Sequence, residues 1–185
     1  MRLTARRLTA SHRGALLEHF RGLSRRDAYL RFGSHTADAV IEAYVLGIEF
    51  ASSAVLGVFG AELELLGVAH LCPADRGVEL GISVLARARR EGIGTLLLRR
   101  ALGHARLVGA LRLFMHCLAE NDELMRLARR AGARIQVSHD EADGFIEVPC
   151  ATAFSAAMEL AAEHAGVAEY VCKAQRAAWR QALRR

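Results

Sequence analysis

Residues 84–102, VLARARREGIGTLLLRRAL, set what this chain can build. An apolar, strand-like run over 78–85 enters an arginine-dense turn, Arg87-Ala88-Arg89-Arg90-Glu91, and Gly92-Ile93-Gly94 follows. Ile93, Leu97, Ala101 and Ala105 then repeat at four-residue spacing, which predicts a helix with one buried face. A helix N-terminus presents free backbone N–H groups and positive partial charge. Glycines let a ligand reach that backbone. Five arginines between Arg87 and Arg100 stand against one acid, Glu91, and add mobile positive charge. The turn therefore reads as an anion cradle for a pyrophosphate.

Two better-known phosphate loops do not fit. A P-loop needs four residues between its glycines and then Lys-Ser/Thr, whereas a single residue separates Gly92 from Gly94 and no lysine follows. A dinucleotide fingerprint needs a third glycine where this chain has Leu97. The segment Arg89-Arg90-Glu91-Gly92-Ile93-Gly94 instead resembles the cofactor motif of the GNAT superfamily of acyl-CoA N-acyltransferases, Gln/Arg-x-x-Gly-x-Gly/Ala. The family's strand-ending valine falls five residues earlier, at Val84. The resemblance implies acetyl-CoA as cofactor, held by Arg89, Arg90, Gly92, Ile93, Gly94 and Thr95. It also implies that the strand before the cradle and the strand after its helix run parallel and splay apart. Main chain at Ile82 and Val84 would then bond the pantetheine arm and supply oxyanion donors.

A chain of 185 residues with 52% hydrophobic content fits one domain with a full core. No apolar run is long enough to span a bilayer, because 54–71 is interrupted by Glu62 and Glu64. Residues 1–13 are basic without an apolar signal core and read as a first strand. Cys72, Cys117, Cys150 and Cys172 are widely spaced with no Cys-x-x-Cys pair, so we expect reduced, mostly buried thiols in a cytoplasmic protein. His12, His35, His104, His139 and His164 show no ligand spacing, and no metal site is expected. The net charge of +5 comes with no legible nucleic-acid module, and an anionic cofactor accounts for much of the excess.

Taken in order, the periodicities predict a strand at 2–9 and a helix over 11–22 capped by Ser11. Helical segments follow at 23–32, with Ser24 as cap, and at 38–50. Strands at 54–59 and 63–71 form a hairpin, Pro73 closes the second, and Asp75-Arg76-Gly77 turns into the strand at 78–85. The helix at 92–108 stops at Gly109, a strand covers 111–118, and Asn121 caps a helix ending at Gly132. Strands at 134–138 and 144–148 surround a polar loop. This order resembles the GNAT fold over 1–149: an α/β arrangement with a mixed, mostly antiparallel sheet, a splayed parallel pair and flanking helices. Residues 150–185 lie outside that pattern as a helical extension, 153–164 and 167–183, punctuated by Gly166. It covers the sheet or forms a homodimer contact, and the sequence leaves both open.

Acyl transfer to an amine needs a neutral nucleophile, because an alkyl amine of pKa near ~10.4 is protonated at neutral pH. Glu79, on the strand entering the cradle, is the candidate base, where related enzymes often place a glutamate. By alternation it shares a face with Gly81 and Ser83. Glu62 and Glu64 are the alternatives, and a solvated surface glutamate is the plain structural role. Asn121 falls where the family pattern has a cofactor-contacting asparagine. Seven residues on, many members carry a tyrosine that protonates the departing thiolate, and this chain has Ala128; Gly132-Ala133 replaces the usual Gly-Phe. Tyr29, His116 and Cys117 are the remaining acids. His70 and His116 also suit core or pocket-lining roles, and Cys117 suits a core thiol better than a nucleophile. Leu23-Ser24 with Tyr29-Leu30-Arg31-Phe32 is similar to a segment of GNAT domains in bacterial protein-lysine acetyltransferases, where it borders the acceptor site. The implied function is N-acetyl transfer from acetyl-CoA to a primary amine, a protein lysine or a small-molecule amine, by direct transfer in a ternary complex. An acyl-CoA-binding module with weak or no catalysis is the alternative.

Overall fold

The strands β1 (Arg6–Arg7), β2 (Ala54–Phe59), β3 (Leu65–Ala74), β4 (Gly77–Val84), β5 (Arg112–Leu118), β6 (Arg134–Ser138) and β7 (Glu141–Glu147) form one sheet. Their order is β1-β2-β3-β4-β5-β7-β6 in this computed structural model, which describes residues 3–34 and 36–183. Arg2 of the expected first strand and His35 lie outside the described residues. Every neighbouring pair is antiparallel except β4 and β5. Six α-helices accompany the sheet: α1 (Arg13–Arg21), α2 (Arg25–Phe32), α3 (Asp38–Leu46), α4 (Ile93–Leu107), α5 (Asp122–Arg130) and α6 (Ala153–Ala182). The mixed sheet with one parallel pair and a C-terminal helix is the architecture expected from the sequence. Among the described residues no helix is long and apolar enough to cross a membrane.

The sheet carries a core on each face. Leu56, Ala69, Leu71, Leu80 and Leu113 pack with Ile93, Leu97, Ala101 and Ala105 of α4, the four-residue repeat read from the sequence. Val55, Phe59 and Val68 point the other way, against Leu16 and Phe20 of α1 and Ile41 and Val45 of α3. Alternation along each strand makes this two-sided burial possible. It also explains why β2 is buried at every position.

Several boundaries differ from expectation, each for a local reason. A 3-10 turn, Ala10–His12, precedes α1 with Thr9 rather than Ser11 at its cap, and His12 Nδ1 accepts from the Thr9 N–H at 3.2 Å. Helix α3 stops before Gly47, so Ile48 is buried as a loop residue and not as part of a helix reaching 50. Pro73 does not close β3, which runs on to Ala74. It faces Val78 beyond the last β2 pair, Ala54↔Leu71, so its missing N–H costs no ladder bond. Strand β7 begins at Glu141, inside the expected polar loop, because Glu141 and Asp143 form its solvent face while Ala142 and Gly144 are buried. Two of the four cysteines, Cys150 and Cys172, are exposed, and only Cys117 is fully buried; all four are free.

The C-terminal extension is one helix, α6, and Gly166 does not interrupt it. A Cβ at Gly166 would lie 2.7 Å from the Ala5 carbonyl oxygen, so the glycine permits close approach to the first strand. Helix α6 is tied to α4 through Arg100, which is 5% exposed and reaches Glu159 at 3.0 Å and Glu163 at 2.7 Å. Lys173 donates to the Phe59 carbonyl at 2.7 Å and pairs with Glu169 at 2.7 Å.

His19 pins α1 to the sheet. Its Nδ1–H donates to the Leu65 carbonyl at 2.8 Å and its Nε2 accepts from the Ser83 hydroxyl at 2.8 Å, an arrangement open only to the neutral ring. Burial lowers its pKa to about 4, and burial with Arg31 does the same for His70 on β3. An unfolded imidazole takes its proton near 6.5, so acid favours the unfolded chain. The stabilisation is complete above pH 6.5 and is lost as pH falls toward 4. Denaturant unfolding should therefore show a loss of about 2 kcal/mol per imidazole between pH 7 and pH 5. His19→Gln should remove about half of that slope. Equal unfolding free energies at the two pH values would mean that these rings are charged in the fold.

Candidate active site

Strands β4 and β5 part. They pair at Gly77↔Arg112, Val78↔Leu113 and Glu79↔Phe114, and no further. Beyond Glu79, β4 continues to Val84 against β3 alone, while β5 runs its whole length with β7. Hydrogen-bonded and non-hydrogen-bonded pairs alternate in an antiparallel ladder. The Leu85 N–H bonds the Leu66 carbonyl at 2.9 Å, which fixes that alternation. Ser83, Gly81 and Glu79 then spend their main-chain groups on β3, and Ile82 and Val84 direct theirs into the gap. Ile82 and Val84 are the positions expected to contact a cofactor arm.

The gap leads to the N-terminus of α4. Gly92 is its N-cap with φ +81, no side chain caps the first turn, and no acid lies in it. A Cβ at Gly92 would meet nothing within 4 Å, and one at Gly94 only Leu127 Cδ2 at 3.5 Å. The main chain from Gly92 to Thr95 is thus open to a ligand, and its N–H groups are the natural anion donors. Only the backbone of Ile93 faces this opening, because its side chain is buried against Gly67. Arg90 has φ 65 and is exposed together with Arg87, Thr95 and Arg99.

Two of the arginines do other work. Arg100 is committed to α6, away from the cradle. Arg89 pairs with Asp27 in the first turn of α2 and lies 3.7 Å from Glu123 in the first turn of α5. Burial opposes ionisation of Asp27, but hydrogen bonds from Arg89 and Ser24 outweigh it and lower the pKa. Arg26 adds a 3.3 Å pair to Glu120. Helix α2 is therefore strapped to the start of α5.

Glu79 is exposed on the face of β4 that looks toward α2. Its pair on β3 is Cys72, and Gly81 pairs with His70. A Cβ at Gly81 would overlap the Arg31 guanidinium, which lies flat on the strand there. Arg31 is held by the rings of Phe32 at 5.2 Å and Tyr44 at 5.5 Å, and it donates to the Tyr44 hydroxyl at 2.7 Å. Tyr44 then donates to His70 Nδ1 at 2.7 Å, leaving the His70 Nε2–H directed at Cys72 Sγ, 3.4 Å away. Burial, then the Glu79 charge, raise the Cys72 thiol, so it stays protonated.

Across the gap, His116 of β5 sits two residues beyond the last paired position, on the face of Phe114 and therefore of Glu79. Its Nδ1 bonds Asp143 at 2.6 Å, and that bond, against some burial, raises its pKa. Glu141 and Glu79 add to the rise. The carboxylate orients the ring and leaves Nε2 outward, with Glu141 at 3.7 Å. Asp143, Tyr44 and the Asp27–Arg89–Glu123 bridge were not found from sequence. His116 and Asp143 meet by strand register alone, 27 residues apart, and no local pattern announces that.

The remaining candidates fall outside the chemistry or at its edge. Asn121, just after β5, caps α5, its Oδ1 accepting from the Leu124 N–H at 3.2 Å, a bond that does not use its amide NH2. Ala128 is 3% exposed, inside the core. Cys117 packs with Met125 and Ala142, and burial raises its pKa, as expected of a core thiol. Glu62 is tied to Arg180 of α6, and the Glu64 carboxylate folds back onto the Glu62 N–H at 3.0 Å.

Known proteins share this fold. The GNAT domain of S. lividans PAT superposes with a TM-score of 0.67 at 16% identity, over 77% of this chain and 89% of that one. A phosphinothricin acetyltransferase from Sinorhizobium meliloti in complex with acetyl-CoA gives 0.65 at 18%, over 80% and 89%. Spermidine N-acetyltransferase from Vibrio cholerae, in complex with CoA and spermine, gives 0.63 at 18%, over 79% and 95%. Among curated proteins none matches the sequence. The profile of the acetyltransferase (GNAT) family matches residues 20–133, a span that holds the parted strands, the cradle and α5. This chain belongs to the GNAT acetyltransferase family.

Proposed function

We propose that this chain is a cytoplasmic N-acetyltransferase that moves an acetyl group from acetyl-CoA to a primary amine by direct transfer in a ternary complex. The observation that carries this is the parting of β4 from β5 after Glu79, beside an uncapped helix N-terminus. Acetyl-CoA supplies a thioester carbonyl open to attack by an amine. The first-turn N–H groups of α4, with Arg87 and Arg90, would hold its diphosphate, and main chain at Ile82 and Val84 its arm. Asn121 would add an amide donor at the rim. Arg89 would join only by leaving Asp27, so its guanidinium is shared between strap and cofactor.

Glu79 takes the proton from the acceptor amine. Its carboxylate is exposed at the gap, and its charge is felt by Tyr44, Cys72 and His116 around it. His116 is the best placed of the three remaining acids to give a proton to a departing thiolate. Its raised pKa keeps more of it charged near neutrality, and Asp143 fixes the ring. Cys117 is enclosed in the core, and Tyr29 lies on α2, across the strap. The acceptor is a protein lysine or a small-molecule amine. The alternative of a cofactor-binding module without turnover draws on Ala128, where no phenol can act. Thiol release with acetyl-CoA and a panel of amines, peptides and proteins separates the two. Binding without release on any acceptor would favour the module.

Gly94→Val should abolish acetyl-CoA binding in calorimetry, because the space above Gly94 accepts a side chain without disturbing the protein. Unchanged affinity would remove the cradle from the site. Glu79→Gln should leave binding intact, lower turnover about 10²-fold or more and move activity to higher pH. A wild-type pH–rate profile in that variant would place the base elsewhere.

A further inference from the structure

Helix α6 is turned inside out for a protein that stays alone. Its acidic residues Glu159, Glu163 and Glu169, and its lysine, Lys173, point into the body and find partners there in Arg100, the Arg7 N–H, Thr4 and the Phe59 carbonyl. The solvent side is apolar instead. Phe154 is 76% exposed, Leu160 59% and Trp179 71%, with Met158, Val171 and Leu183 also on the surface. Ala161, Ala165 and Ala168 fill the space between them and are exposed too. From Ala153 to Gln175 the only imidazole, carboxylate or base on this side is His164.

We propose that this face binds the same face of a second copy of this chain, the two α6 helices running antiparallel. Size favours it. A helix of 30 residues is about 45 Å long, and half its circumference gives roughly 700 Å² per copy, close to the ~800 Å² that stable interfaces bury on each side. Charge favours it as well. A face without acids offers nothing to a basic partner, whereas it matches itself. The exposed Arg176 sits toward one end, so a parallel pair would stack like charges and an antiparallel pair separates them. Antiparallel packing also sets Phe154 and Met158 of one copy near Leu183 and Trp179 of the other. A lipid surface fits less well, because surface-lying helices carry lysine and arginine along the polar face, and here that face carries glutamates already buried in the protein.

Light scattering on purified protein at micromolar concentration should return the mass of two 20.2 kDa chains. Trp179 is the single tryptophan, so its emission should be blue-shifted in the dimer and move to the red on dilution. Ala168→Glu combined with Val171→Glu places charge on two exposed positions and should give a folded monomer with red-shifted emission. In a chain lacking Cys150 and Cys172, Phe154→Cys with Leu183→Cys should cross-link on oxidation while Phe154→Cys alone does not. A monomeric wild type, a dimer that survives the paired glutamates, or cross-linking by Phe154→Cys alone would each overturn the proposal. A monomeric wild type that sediments with phosphatidylglycerol vesicles would overturn it in favour of lipid.

Discussion

The hydrogen bonds that β4 does not make are what the surrounding elements answer to. Its edge toward β3 is satisfied along the whole ladder, from Gly77 to Val84. Its other edge has a partner for three residues and then none. A main-chain group left unpaired out of water costs about 1–3 kcal/mol, so a gap of this kind persists only where something else bonds those groups. The uncapped start of α4 beside the gap suits a ligand with an anionic end. The first turn of α4 lies against the body of α5, where a Cβ at Gly94 would sit 3.5 Å from Leu127 Cδ2. No charge neutralises the α4 terminus from within, since its first turn has no acid.

The arginines of the cradle divide their labour in a way that charge counting hides. Arg100 is buried and balances two glutamates of α6, so it contributes to packing rather than to anion binding. Arg89 lies between Asp27 and Glu123 and holds α2 to α5. That leaves backbone dipoles with the exposed Arg87, Arg90 and Arg99 as the proposed anion-binding set. Backbone donors are fixed in place by the helix, whereas exposed arginine side chains are mobile and screened by salt. The proposed cofactor site therefore depends more on the conformation at Gly92 than on the number of positive charges around it.

Local patterns were legible in the sequence and long-range pairings were not. The strand–turn–helix around Gly92, the caps at Ser24 and Asn121, and the sheet's strand content all rest on residues close in sequence, and each has the structure expected of it. The main chain at Ile82 and Val84 lies on the edge of β4 that has no strand partner. Pro73 and Gly166 misled for a shared reason. Both are treated as breakers when the neighbouring chain is unknown, yet Pro73 faces an edge with no partner and Gly166 makes room for Ala5. Asp143 was hidden in what looked like a polar loop, because a solvent-facing strand edge and a loop have the same composition. Arg31 gave its segment but not its role, which follows only once Gly81 is seen beneath it.

Helix α6 shows how far amphipathicity alone can mislead about orientation. Periodicity reveals that a helix has a polar and an apolar side; it does not say which side meets the protein. Here the polar side is inside, where Glu159 and Glu163 balance the buried Arg100 of α4 and Lys173 donates to the Phe59 carbonyl of β2. The apolar side is left outward by the same choice. Its position makes the proposed pairing compatible with catalysis. Helix α6 packs on α4 and on β1, the edge strand three places from β4. That is about 14 Å of sheet between the first strand and the parted pair. Two copies joined through α6 would therefore leave both gaps, and both faces bearing Glu79 and His116, open to an acceptor.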